Sequence, residues 1–310
     1  MQAVLNAALP LFGLILTGYL CGLFRVFSKA AADSLNAFVI TLALPALVFV
    51  AMARMTPEQL GHLGFMMAYG GCVLVNSMLG FWLSRRRGES IADATMTGLN
   101  ASYSNVGFMG LPLCLIVFGA EGLPPAVVAT LFTACIHFLA AIVMIEADLK
   151  KGVSLGRRLG DVGFSLLRNP LFLAPIAGLG VGLSGLGLAL PVARFGELLG
   201  AAAAPCALIC IGLVLAQETL DVRELPRIGV LVALKLLLQP ALAALLVFHV
   251  FAMPPIWASV AVILSALPTG PGAFSLAKAY GLQPAATSGV ILVSHVVSVV
   301  TLSLVLAWLV

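Results

Sequence analysis

Two stretches of this sequence gather hydrogen-bonding groups and helix-breaking residues inside long apolar runs. The first, NASYSNVGFMGLPL from Asn100, brings Asn100, Ser102, Tyr103, Ser104 and Asn105 just ahead of Gly107, Gly110 and Pro112. The second, LPTGPGAFSLAKAYGLQP from Leu267, sets Pro268, Thr269, Gly270, Pro271 and Gly272 in succession. Proline removes a backbone donor and glycine is a weak helix former, so helix breaks are expected at Gly107, Pro112, Pro268 and Pro271. A buried amide without a partner costs roughly 2–7 kcal/mol, so the polar cluster must meet water, a ligand or another helix. A helix that restarts after a break presents unpaired N–H groups and an effective charge of about +0.5. Two breaks meeting near a membrane midplane would surround one small carboxylate anion with Ser102, Ser104, Asn105, Gly107, Gly110, Pro268, Thr269, Gly270 and Gly272. The plainer alternative is that Gly and Pro only kink packed helices.

The elements that must hold these groups are membrane helices. With 62% hydrophobic and 9% charged residues over 310 positions, the chain is too apolar for one soluble core of this size. Ten apolar runs approach or exceed the about 20 residues that span a bilayer core, near 3–24, 34–53, 62–84, 91–119, 124–147, 170–187, 195–217, 228–251, 255–282 and 285–308. The fourth and ninth are overlong and contain the breaks. Thirteen of the 16 Lys and Arg residues fall in the loops after the odd-numbered runs, among them Arg85, Arg86, Arg87, Arg157, Arg158 and Arg227. Only Arg54 and Arg194 lie on the other side, which places the odd loops in the cytoplasm and both termini outside.

The sequence also repeats. Pro10, Phe12, Gly18 and Pro45 recur 160 positions later as Pro170, Phe172, Gly178 and Pro205, and His137 and His295 follow Pro125 and Pro284 at nearly equal spacing. Five runs per half is odd, so the second half enters the membrane from the opposite side: an all-α, 5+5 inverted repeat over 1–149 and 170–310, joined by a basic cytoplasmic linker at 150–169. The first run lacks a basic leader and reads as a retained span. No Walker A loop or metal-spaced Cys/His cluster is present, so neither nucleotide, metal nor other cofactor is expected, and no nucleic acid. Lys235, about seven residues into run eight, reads either as a countercharge for the substrate or as a snorkelling or helix-bonded structural lysine. His295 and His137 are candidates for a proton relay or for interhelical hydrogen bonds.

At these residues the chain resembles the auxin efflux carrier family, which includes plant PIN carriers and bacterial malonate or malate permeases. Asn105, Gly110 and Pro112 match the family's fourth-span pattern. Leu267, Pro268, Gly270, Phe274, Ala277, Tyr280 and Pro284 match its LPxGxxxFxxAxxYxxxP. KLLLQP at Lys235–Pro240, LPALVF at Leu44–Phe49 and RNP at Arg168–Pro170 extend the likeness over nearly the whole chain. The resemblance implies ten helices with broken, crossed helices 4 and 9, and a scaffold of helices 1, 2, 6 and 7, often at a homodimer interface. Helices 3–5 and 8–10 would form a moving transport domain, with Asn105 hydrogen-bonding the substrate carboxylate. It further implies secondary transport in a bacterial inner membrane. The plant carriers have proline where Ser104 stands and an acidic residue in helix 3, where this chain offers Asn76 and Ser77. A sodium-coupled organic-anion symporter of the bile-acid type is the alternative, and an intramembrane enzyme is disfavoured because no HExxH or GxSxG motif occurs.

Overall fold

A computed structural model describes residues 2–55, 63–149, 168, 170–185, 187–217, 220 and 222–309. The linker expected at 150–169 lies, apart from Arg168, outside the described residues. What is described is helical throughout, apart from turns and one isolated antiparallel bridge. In chain order the helices are α1 (Gln2–Leu23), α2 (Lys29–Phe38), α3 (Leu44–Ala53), α4 (Leu63–Arg86), α5 (Ile91–Ser102), α6 (Leu111–Phe118), α7 (Leu123–Leu131) and α8 (Phe138–Leu149). The series continues with α9 (Pro170–Leu183), α10 (Leu190–Ala201), α11 (Ala203–Leu215), α12 (Leu225–Ala233), α13 (Gln239–His249), α14 (Pro255–Ser265), α15 (Gly272–Tyr280) and α16 (Pro284–Leu309). Wide π turns join α2 to α3, α7 to α8 and α12 to α13, so each of these pairs runs on as one longer helical stretch.

Six helical stretches among the described residues are long and apolar enough to cross a membrane: Lys29–Ala53, Leu63–Arg86, Val106–Leu149, Leu190–Leu215, Leu225–His249 and Pro284–Leu309. Ten apolar runs therefore do not translate into ten long helices. The Val106–Leu149 stretch, at 44 residues, is far longer than one crossing requires, and the backbone turns within it at Gly119, whose φ is 62°. The fourth and ninth runs are interrupted and contribute the short pieces α5, α14 and α15. In the fourth run the helix stops at Ser102, ahead of Gly107 and Pro112, the residues expected to break it. Pro112 instead sits in the first turn of α6, where its missing N–H costs nothing. In the ninth run α14 ends at Ser265, and Pro271 is the residue that introduces α15.

The chain forms two compact units, each drawn from both sequence halves. One comprises Met1–Leu63, Gly107–Val128 and Gly163–Gln217; the other comprises Gly64–Val106, Ala129–Val162 and Glu218–Val310. In the first, α1 packs along α11, and α9 and α10 pack on α3. Gly18 and Gly212 let the α1 and α11 backbones approach: a Cβ on Gly18 would run into the carbonyl of Ile209, and one on Gly212 into that of Ile15. Small residues serve membrane helices in this way because lipid supplies no hydrophobic drive between them.

In the second unit α5 is the central element. Residues Ala94–Ser102 are all buried, as is Ala92, which is the pattern of a helix covered on every side. Met96 and Leu99 pack with Ala141, Ile145, Ala273, Leu276 and Ala277, while Ala101 packs with Ile228, Leu231, Leu236 and Val290. Thus α8 and α15 cover one side of α5, and α12 and α16 another. Its N-terminus is closed by Ser90, whose Oγ accepts from the Asp93 amide at 3.0 Å.

Candidate functional site

A helix that stops inside a buried core leaves its last carbonyls without partners, and each must be satisfied. The end of α5 solves this with side chains and backbone from the rest of its unit. The Asn100 carbonyl accepts from Thr269 Oγ1 at 3.0 Å, the Ala101 carbonyl from Asn76 Nδ2, and the Ser102 carbonyl from Gln239 Nε2 at 3.2 Å. The Tyr103 carbonyl accepts from the Gly270 amide at 2.9 Å, and the Asn105 amide donates to the Pro268 carbonyl at 2.9 Å. Ser104 and Thr269 thereby form an antiparallel bridge. The two interruptions lie against each other and supply each other's missing ladder.

The second interruption is fixed from two further helices. The Thr269 amide donates to Ser294 Oγ of α16 at 3.1 Å. Lys235, in the turn between α12 and α13, donates from Nζ to the Ser265 carbonyl at 2.8 Å, at the C-terminal end of α14. Lys235 is completely buried, so it does not snorkel to an interface. Its ammonium sits where the aligned peptide dipoles of α14 gather negative charge, a favourable placement for a cation.

Gly270 and Gly272 are required by proximity and not by a left-handed backbone. A Cβ on Gly272 would lie 2.7 Å from Tyr103 Oη, and one on Gly270 would lie 3.1 Å from the Asn105 Cα and the Tyr103 ring. Gly107 meets no such neighbour: nothing lies within 4 Å of its would-be Cβ.

Asn105 is 3% exposed, and its Nδ2 lies 3.3 Å from His295 Nε2. The other ring nitrogen, His295 Nδ1, lies 2.8 Å from the Ile291 carbonyl, which can only accept. His295 Nδ1 therefore carries the proton and Nε2 accepts from Asn105, which fixes the tautomer and orients the amide. His137 Nε2 lies 3.2 Å from Ser102 Oγ and 3.4 Å from Ser77 Oγ, and its ring is tilted by 34° to that of Tyr103 at a centroid distance of 6.1 Å.

Of the residues expected from sequence, Ser102, Ser104, Asn105, Pro268, Thr269, Gly270 and Gly272 converge at this bridge, with His295 and His137 at its edges. Lys235 stands one contact away, on Ser265. Gly107, Gly110 and Pro112 belong to the other compact unit. Sequence reasoning missed the capping roles of Asn76, Gln239 and Ser294. One signal was present: Lys235 and Gln239 are four residues apart, hence neighbours on one helical face. It also read Arg227 only as a loop charge. In the structure Arg227 Nη2 donates to Glu89 Oε2, Thr97 Oγ1 and Gln283 Oε1 at 2.9, 2.7 and 2.7 Å, joining the α4–α5 turn to the start of α16.

The bridge presents neutral amides and hydroxyls with no buried carboxylate among the described residues. Such a set hydrogen-bonds an anion without repelling it. Comparison with known proteins gives the following likenesses. The family described as membrane transport protein matches residues 3–306. A "Putative malonate transporter" of Rhizobium meliloti is 33% identical over 310 residues, covering 98% of this chain and 95% of that one. An "Uncharacterized transporter" of Methanothermobacter thermautotrophicus is 27% identical over 305 residues, covering 96% of each. These names describe transporters and not enzymes.

Proposed function

Because the chain belongs to the membrane transport protein family, the auxin efflux carrier type, we propose that this membrane transporter carries a small organic carboxylate, malonate being the first candidate. The observation that carries this reading is the pairing of Ser104 with Thr269, which gathers Asn105, Ser102 and Thr269 around two interrupted helices. Asn105 is the residue we assign to the carboxylate: its second amide hydrogen and its orientation by His295 suit it to donate. The relative named for malonate supports the choice of acid, as does the neutral, donor-rich lining.

Transport in this reading is an elevator-like alternation without a nucleotide. The bridge ties the two interrupted runs together inside a single compact unit, so they would travel as one body. Separating them would leave the carbonyls of Tyr103 and Pro268 unpartnered at bilayer depth, at several kcal/mol for each unsatisfied group. The five-plus-five inverted repeat, the homodimer and the placement of both termini outside the cytoplasm belong to the same proposal. The basic-residue asymmetry supports the last of these. In a cysteine-free background, an impermeant thiol label on intact cells should then react with a cysteine at Glu121 and not with one at Arg157. The opposite pattern would reverse the assigned orientation.

The central test uses purified protein in liposomes loaded with candidate acids. Counterflow of labelled malonate is expected. Asn105→Ala should weaken binding about 5- to 150-fold, the equivalent of losing about 1–3 kcal/mol from a hydrogen bond to a charged group. Unchanged affinity for every carboxylate would remove Asn105 from the site.

A further inference from the structure

The turn between α1 and α2, inside the first compact unit, carries an arginine where a glycine is expected. Arg25 has φ 55°, the left-handed conformation in which the Cβ of an ordinary residue crowds its own backbone. It closes α1 in the Schellman arrangement: the Val26 amide donates to the Cys21 carbonyl at 2.9 Å and the Arg25 amide to the Gly22 carbonyl at 3.1 Å. Glycine suits that position, and the chain uses one at the end of α15, where Gly281 has φ 66°. A side chain kept at a backbone cost points to a use for the side chain.

Arg25 lines a cavity of about 910 Å³, together with Ser28 and Lys29 from the same turn and Leu213, Ala216 and Gln217 from the end of α11. Among the described residues, neither the Arg25 guanidinium nor the Lys29 ammonium has a hydrogen-bond or ion-pair partner, and no Asp or Glu lines the cavity. Ser28 Oγ accepts from the Ala31 amide at 3.2 Å, which leaves its own O–H free to donate. Two unpaired cations and a spare hydroxyl thus share one cavity, a set of donors complementary to a phosphate. The remaining wall is apolar. Leu23, Val26 and Phe27 line it and are also 54, 66 and 45% exposed. Lys29 opens the Lys29–Ala53 stretch, which is long and apolar enough to cross a bilayer, so this turn belongs at headgroup depth.

We propose that this cavity is a headgroup site for an anionic phospholipid. The phosphodiester sits between Arg25 and Lys29 and accepts from the Ser28 hydroxyl, and the acyl chains leave over Leu23, Val26 and Phe27. Basic pockets at the ends of membrane helices take anionic headgroups in this way, and the exposed apolar wall is what distinguishes a lipid from a soluble anion. The site uses residues of the first unit alone and stands apart from the identity of any transported acid.

The test is native mass spectrometry of the purified full-length protein in detergent, offered equal amounts of phosphatidylglycerol and phosphatidylcholine with the same acyl chains. Wild type should retain the anionic lipid at least about tenfold better. Arg25→Gly removes the cation while suiting the left-handed turn, so its unfolding temperature should not fall; Lys29→Gln removes the other cation from an exposed position. Each should cut the preference several-fold, and the double variant should abolish it. Arg87→Gln, at an exposed cation in the α4–α5 turn, should leave the preference unchanged. Equal retention of the two lipids by wild type overturns the site, as does an unchanged preference in the double variant or an equal loss in Arg87→Gln. Saturable binding of inorganic phosphate that Arg25→Gly abolishes, with no preference for phosphatidylglycerol, would make this a soluble-anion site and overturn the lipid assignment. None of these outcomes depends on malonate binding, which reports separately on the proposed function.

Discussion

The buried ends of α5 and α14 present the same physical problem with different solutions. Both leave carbonyls inside a packed unit, away from water. At α14 one lysine supplies donor and charge together, so that end depends on a single side chain. At α5 the donors are distributed over Asn76, Gln239, Thr269 and the Gly270 amide, coming from separate parts of the second unit. A concentrated cap makes one residue indispensable. A distributed cap makes no single residue so, but it holds several elements in register and leaves charge uncompensated.

The largest effect should come from the concentrated end. Lys235→Met keeps the length and apolar stem but removes the amine, leaving the Ser265 carbonyl without the donor it now has. Thermal unfolding in detergent should report a loss of about 3 kcal/mol, from an unsatisfied buried acceptor together with the lost dipole compensation. A loss no greater than that of any single α5 donor would erase the contrast between the two ends.

Next in size is the crossing itself. Gly272→Ala should destabilise by about 1–3 kcal/mol, because its methyl group would lie 2.7 Å from Tyr103 Oη and 2.9 Å from the ring. Gly107→Ala, with open space at its Cβ and no left-handed φ, should leave the unfolding temperature nearly unchanged or raise it slightly. Equal sensitivity at both positions would mean that backbone conformation, and not the approach of Tyr103, sets the requirement.

Smaller still is the loss of one distributed donor. Thr269→Val preserves shape and removes the hydroxyl that meets the Asn100 carbonyl, for an expected cost of about 1 kcal/mol. Its effect together with Gln239→Leu should exceed the sum of the two alone, since they serve successive parts of one helix end. The smallest change expected is His295→Gln, which retains an acceptor for Asn105. Carboxylate affinity should fall only a few-fold there and clearly further in His295→Leu, if orientation of Asn105 is what His295 provides.

Much of the candidate site, the bridge between the two interruptions, was legible in the sequence because polar residues and Gly/Pro pairs are rare inside apolar runs, which singles out Asn105, Thr269 and Gly270. The position of the first interruption was less legible. Gly107 and Pro112 are the stronger breakers by local propensity, yet the helix yields at Tyr103, whose carbonyl is taken by the Gly270 amide some 167 positions later. Propensity marks where a helix is weak. A distant partner decides where it ends.

The sequence by itself determined the membrane-embedded helical class, the family, and the two segments at which polar and helix-breaking residues gather, because hydropathy, composition and short motifs are local properties of the chain. It left Lys235 open between substrate countercharge and structural lysine, and it read Arg227 as a topological charge. Only the tertiary structure decided that Lys235 closes α14, that Arg227 joins the α4–α5 turn to α16, and that Asn76 and Gln239 close α5. The physical reason is that an intramembrane polar residue must have a partner, but its type does not say which. Any amide, hydroxyl or ammonium of suitable reach can satisfy a given carbonyl, and the choice is made by which helices come to lie side by side.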